Sequence, residues 1–115
     1  MNSVEFNASI NAQIKRSQDL LLKKNANYNP NDDKLATFKT AAALMDVTPE
    51  SALAGMLVKH TVSVYGMIRQ NLDAPAEVWN EKITDHINYL LLLRALVDER
   101  QQTNQNKFVL NIESV

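Results

Sequence analysis

Three polar residues in the second half of the chain have the types and the spacing to bind a ligand together. Glu81, Asp85 and Asn88 stand at positions i, i+4 and i+7, which places them on one face of a helix. Carboxylate and amide oxygens suit hard cations such as Mg²⁺, often with substrate phosphate completing the coordination. A solvated helix face would show the same pattern. Glu81 and Asp85 are therefore predicted metal ligands, and Asn88 is a predicted ligand-binding residue, with solvation as the alternative.

Lys59 and His60 are further candidates for ligand binding. His60 stands at the centre of an apolar seam with a 4-3-4-3 spacing, where a histidine is more often a hydrogen-bonded core residue. Lys59 lies on a line with Gly55 and Gly66. Glycine inside a helix costs about 1 kcal/mol relative to alanine, so this line requires a reason. Close approach of another helix is the favoured reason, and a ligand beside the Lys59 ammonium is the alternative.

A turn-rich segment at 25–33 and the end of the helix before it carry another group of candidates. Tyr28 could stack on a base and Lys24 could contact phosphate. The alternative is structural, with Tyr28 closing the loop over the core and Asp33 capping the next helix.

The elements that position these residues are predicted to be helices, because the apolar residues recur with helical periodicity. The expected helices cover residues 3–25, 33–46, 49–70 and from Pro75 to Arg100. Thr48 followed by Pro49 is a typical helix start. The fold predicted is an all-α, four-helix bundle-like domain at 1–103.

A short C-terminal tail at 104–115 differs from the rest. Its polar first part precedes Phe108, Leu110 and Ile112, which alternate as in an extended strand. Such a strand would dock, pair with another copy or stay disordered.

Composition limits the function. The chain has 115 residues, a net charge of −1, no cysteine and two glycines. Thiol chemistry, zinc–thiolate sites and Gly-rich phosphate loops are thereby excluded, and no charge excess favours nucleic acid. No apolar run approaches the ~20 residues of a membrane span, so the cytoplasm is the expected location.

A homo-oligomer is expected, most simply a dimer with helices three and four in the interface. The five apolar residues from Tyr89 to Leu93 cover the whole circumference of a helix, and a chain this short buries only about two thirds of its unfolded surface. A second copy would supply the missing cover, and the alternative is a compact monomer whose tail folds back on its own bundle.

The chain resembles small phage and prophage helical proteins that are similar to MazG-like nucleotide pyrophosphatases and nucleotide-modification-associated domains. The resemblance covers roughly residues 20–97. It rests on the stretches "KKNANYNPNDDKLATFKTAAAL", "PESALAGMLVKH" and "WNEKITDHINYLLLL". The matching positions are Lys24, Tyr28, Phe38, Lys59, His60, Asp85, Asn88 and Tyr89.

The resemblance implies an oligomeric bundle with a nucleotide site between helices, Mg²⁺ as a possible cofactor and, for a phage-encoded chain, the host cytoplasm as its location. One departure is that the first helix lacks the E-E-x-x-E-like cluster of MazG-type enzymes and carries only Glu5 and Asp19. Three functions stay open: a Mg²⁺-dependent pyrophosphohydrolase, a non-catalytic nucleotide-sequestering module, and a structural or assembly protein.

Overall fold

The computed structural model describes residues 1–26 and 33–113, with side chains for 1–23 and 33–110. Its elements are four α-helices: α1 (Ser3–Ala26), α2 (Ala36–Met45), α3 (Pro49–Gln70) and α4 (Ala76–Glu113). The all-α prediction is confirmed, since the described residues contain no strand. Tyr28 of the predicted ligand-binding set lies outside the described residues.

Local side-chain chemistry sets the helix starts. Asn2 and Glu5 exchange backbone-to-side-chain hydrogen bonds across the first turn of α1, which is the reciprocal arrangement of a capping box. At α3 the Thr48 hydroxyl accepts from the Ser51 amide at 3.1 Å, and Pro49 occupies the first helical position. The predicted start of α3 is therefore confirmed.

Helix α4 is the central element, because both α1 and α3 pack against it. The α3–α4 pair is antiparallel, since Glu50 meets Arg100 and Thr61 meets His86. The α1–α4 pair is antiparallel as well. Gln13 contacts Thr84, whereas residues later in α1 share a groove with residues earlier in α4. Helix α2 packs on α3, and α1 contacts only α4 among the described helices.

The core lies where α2, α3 and α4 meet. It is built on four buried side chains, Leu35, Phe38, Leu53 and Leu96. Its outer layer consists of the partly buried residues Met56, Leu57, Tyr89, Leu92 and Leu93. The predicted seam of α3 is confirmed, because all five members of the 4-3-4-3 pattern centred on His60 are buried or half-buried: Leu53, Leu57, His60, Val64 and Met67. The core therefore fixes the α3–α4 register and leaves α1 outside it.

The prediction of an extended tail is wrong. Helix α4 continues to Glu113, so its end at Arg100 was also predicted too early. The physical reason is that no glycine follows Gly66 and no proline follows Pro75, and nothing else in the sequence breaks the helix. Residues 101–110 are exposed along this extension.

Two helix faces lack full cover from the residues that the structure describes. A methyl group added at Gly55 or Gly66 would meet no atom within 4 Å, so the glycine line faces open space. Phe6, Ile10, Ile14 and Ser17 of α1 have the spacing of one helix face, and of these only Ser17 is buried. Among the described residues no single helix is long and apolar enough to cross a membrane, and α2 and α3 meet that measure only as a pair bent by 100°.

An ion pair fastens the start of α3 to α4 beyond the core. Arg100 donates to both carboxylate oxygens of Glu50, at 2.7 and 2.8 Å. This hydrogen bonding lowers the pKa of Glu50 from 4.5 to about 2. A carboxyl whose pKa is lower in the folded state stabilises the fold above its unfolded pKa, and the contribution is lost as the pH falls toward 2.

We therefore expect Glu50→Gln to lower the free energy of unfolding at pH 7 by about 1 kcal/mol, the upper range for a partly exposed pair. The difference from the wild type should shrink between pH 4.5 and pH 2. Urea denaturation across this pH range measures it. Asp73→Asn, at an exposed carboxylate between α3 and α4, is the control. A pH-independent loss would contradict the ion-pair explanation.

Candidate functional site

An open groove lies between α1 and α4. Both helices contribute acidic side chains to it, and α1 also contributes basic ones. Its volume is about 410 Å³. It is lined by Arg16, Asp19, Leu20, Lys23, Asn80, Glu81, Thr84 and Asp85. We call it the α1–α4 groove.

The two predicted metal ligands both line this groove. Glu81 is exposed and Asp85 half-buried, one helical turn apart on α4, and Asp19 of α1 contributes a third carboxylate to the lining. Asp19 forms a salt bridge with Lys15, with 3.1 Å between Asp19 Oδ2 and Lys15 Nζ. No group of three or more acidic or histidine side chains in the described part of the chain is close enough to hold a metal ion. The carboxylates fit a Mg²⁺ ion that arrives with phosphate ligands, and they do not form a cage of their own.

Two cationic side chains of α1, Arg16 and Lys23, line the same groove. The guanidinium of Arg16 donates from Nη2 to Gln13 Oε1 at 3.2 Å. Its Nε is buried without a hydrogen-bond partner among the described residues. A buried charged donor without a partner is costly, and the positive charge of the guanidinium suits the groove to an anionic ligand.

A small polar network fixes the register of α1 on α4 beside the groove. Gln13 Nε2 donates to Thr84 Oγ1 at 2.9 Å and to Ser17 Oγ at 3.2 Å. Ser17 and Thr84 are both buried. Because Gln13 also holds Arg16, this network orients the guanidinium as well as joining the helices.

Asn88 lies one turn beyond Thr84 and Asp85 on α4 and is buried, with 6% of its surface exposed. Its Oδ1 accepts no hydrogen bond within the described part of the chain. The residue does not belong to the lining of the α1–α4 groove. The one feature that supports the predicted role of Asn88 in ligand binding is therefore its unpaired Oδ1.

The predicted ligand-binding residues of α3 are placed elsewhere. Lys59 is exposed, and neither it nor His60 lines the groove. His60 is half-buried with its ring centroid 4.6 Å from that of Tyr89, and Tyr89 in turn meets the Phe38 ring edge-on at 6.4 Å. This ring contact gives His60 a structural role in the seam, and it is a different contact from the hydrogen bond that the sequence interpretation expected. Lys24 lies in the last turn of α1, and its side chain is outside the described set.

The sequence interpretation missed the α1 half of the groove. Its four residues, Arg16, Asp19, Leu20 and Lys23, have the spacing i, i+3, i+4 and i+7, which defines one helix face. That signal was present in the sequence. By itself this spacing is also that of a solvated helix face. The α1 residues become candidates for ligand binding only because they share a groove with Glu81 and Asp85.

Comparison of the chain with protein-family models, curated proteins and solved structures gave no match.

Proposed function

We propose that this chain is a nucleotide-handling protein that binds a nucleotide, or another small phosphorylated molecule, in the α1–α4 groove. The observation that supports the proposal is the joint presence of Glu81, Asp85, Arg16 and Lys23 in that groove. Mg²⁺ bound to phosphate accepts carboxylate ligands, while arginine and lysine bind the phosphate oxygens.

The geometry favours a metal that is shared with the ligand. The groove supplies two neighbouring carboxylates on α4, and the described residues hold no three-ligand cluster. Mg²⁺ usually keeps several waters and binds through one or two carboxylates plus substrate phosphates. In this proposal Glu81 and Asp85 hold the Mg²⁺, and Arg16, which lines the groove, binds a phosphate oxygen.

The proposal has two forms that differ after binding. In the catalytic form, Glu81 and Asp85 position the metal, which supplies Lewis acidity for attack of water on a nucleoside triphosphate, with release of pyrophosphate. In the sequestering form the ligand is held unchanged, and the cations of α1 carry the affinity. A structural or assembly role for the chain is the alternative, and it requires no ligand.

The test is a thermal-shift screen of canonical and modified nucleoside triphosphates, with Mg²⁺ and with EDTA. A ligand at a hundredfold excess over its Kd should stabilise the fold by about 2.7 kcal/mol. Asp85→Asn should abolish the Mg²⁺-dependent part of the shift, and Arg16→Gln should weaken binding in both conditions. Asp98→Asn is the matched control, because Asp98 lies on the same helix, outside the groove, and pairs with Arg94.

Pyrophosphate release in the same mixtures separates the two forms. Turnover that Asp85→Asn removes supports the catalytic form. A shift that persists in EDTA, without turnover, supports sequestration. No shift with any nucleotide at millimolar concentration would refute both forms, and a shift unaffected by either groove variant would place the ligand elsewhere.

A further inference from the structure

Helices α3 and α4 present apolar side chains to solvent on the same side of their contact. The Thr61 hydroxyl and His86 Nε2, 3.0 Å apart, mark this side of the seam. On α3, Val58 and Tyr65 flank Thr61 at i−3 and i+4. On α4, Ile83 and Leu90 flank His86 in the same way. Neighbours at these spacings share a helix face, so the four side chains lie on one surface.

This surface continues along α3 to Val62. The exposed fractions of its members range from 37% for Ile83 to 64% for Val62. We call it the α3–α4 apolar face, and it consists of Val58, Val62, Tyr65, Ile83 and Leu90. Arg94, one turn beyond Leu90, is paired with Asp98 at 2.7 Å, so the ion pair next to the face carries no net charge.

We infer that a second copy of this chain covers the α3–α4 apolar face. The chain exposes 8764 Å² of surface, whereas a compact monomer of 13.0 kDa exposes about 6,300 Å². Its radius of gyration is 18.2 Å, against about 13 Å for a compact domain of this length. The projecting end of α4 accounts for part of the excess of about 2,400 Å² per chain. An obligate homodimer buries about 2,000 to 5,000 Å² over both partners, which this excess can supply.

The small core identifies the occupant as a second copy. Leu53 is the one large side chain in the described residues that is fully buried. A chain with so little internal burial needs its cover in order to fold, so the cover must be present wherever the chain is made. A second copy is present wherever the chain is made, and the fraction of chains that it covers rises with the concentration of the chain. None of the five members of the face is charged, so a two-fold contact brings these side chains together without like-charge repulsion among them.

This inference does not depend on the proposed function, because the α1–α4 groove shares no residue with the α3–α4 apolar face. Light scattering at micromolar concentration should give a mass of about 26 kDa, twice the 13.0 kDa of the chain, or a larger even multiple. Leu90→Glu should raise the dissociation constant at least about 30-fold, as expected for an interface hot spot. Leu22→Glu, at an exposed leucine of α1, is the matched control and should leave the mass unchanged.

A cross-linking measurement covers the case in which Leu90→Glu fails to fold. The chain has no cysteine, so Leu90→Cys and Leu22→Cys each introduce a single reactive thiol. A short bismaleimide should join two copies through position 90 and not through position 22. A wild-type mass near 13.0 kDa, a dimer unaffected by Leu90→Glu, or cross-linking at position 22 alone would overturn the inference.

Discussion

Replacing Leu53 by alanine is expected to lower the free energy of unfolding by about 3 to 5 kcal/mol, the range for a fully buried leucine whose neighbours cannot collapse into the space. Leu53 is completely buried and belongs to the cluster that joins all three core helices. Its loss removes contacts to α2 through Phe38 and to α4 through Leu96. Because the typical stability of a domain is only about 5–15 kcal/mol, this one substitution could unfold the chain.

Urea denaturation followed by circular dichroism, at one fixed protein concentration, measures the effect. Leu44→Ala is the matched control, because Leu44 is 84% exposed at the end of α2 and the same change there should cost less than about 0.5 kcal/mol. Equal losses at the two positions would show that the core does not lie where α2, α3 and α4 meet.

Replacing Asn88 by aspartate is expected to be nearly as damaging, at about 2 to 4 kcal/mol at pH 7. The substitution keeps the shape of the side chain and introduces a charge at a buried position. Oδ1 of Asn88 accepts no hydrogen bond from the described residues, so no donor is on hand to stabilise the carboxylate. Burial should raise the pKa of the new carboxyl above its unfolded value of about 3.9.

The sign of the pH dependence follows from that shift. The penalty should be largest above the raised folded pKa, where the buried group must be charged, and it should disappear below the unfolded pKa. Asn104→Asp makes the same change at an exposed position of α4 and should alter stability by less than about 0.5 kcal/mol. A penalty for Asn88→Asp that does not vary between pH 3 and pH 7 would mean that the pKa of the new carboxyl is the same in the folded and unfolded states, and would contradict the expected effect of burial.

The amino-acid sequence determined the helical class and most of the helix boundaries. The Thr48–Pro49 start of α3 is encoded locally, because a hydroxyl acceptor and a residue without an amide hydrogen satisfy a helix end wherever it lies. The inner seam of α3 was equally readable, since its spacing alone selects one face. The grouping of Glu81 and Asp85 followed from the same periodicity.

The sequence did not determine how far α4 extends. Alternation over the few residues around Phe108 and Leu110 is too short to distinguish a strand from a helix. In the structure the helix continues through them, because each added residue of an established helix gains a hydrogen bond and no breaker intervenes. The alternating pattern predicted a strand in this segment, and the continuing helix formed instead.

Only the tertiary structure decided which polar faces meet. Arg16 and Lys23 are separated from Glu81 by more than half the chain, and the antiparallel packing of α1 on α4 brings them to one groove. The packing of α3 on α4 left Lys59 exposed and put the His60 ring against Tyr89. Helical periodicity states which residues share a face, and it carries no information about the partner that the face will meet. Which faces contact each other depends on the packing of all the helices together. That packing formed the α1–α4 groove and left the α3–α4 apolar face exposed.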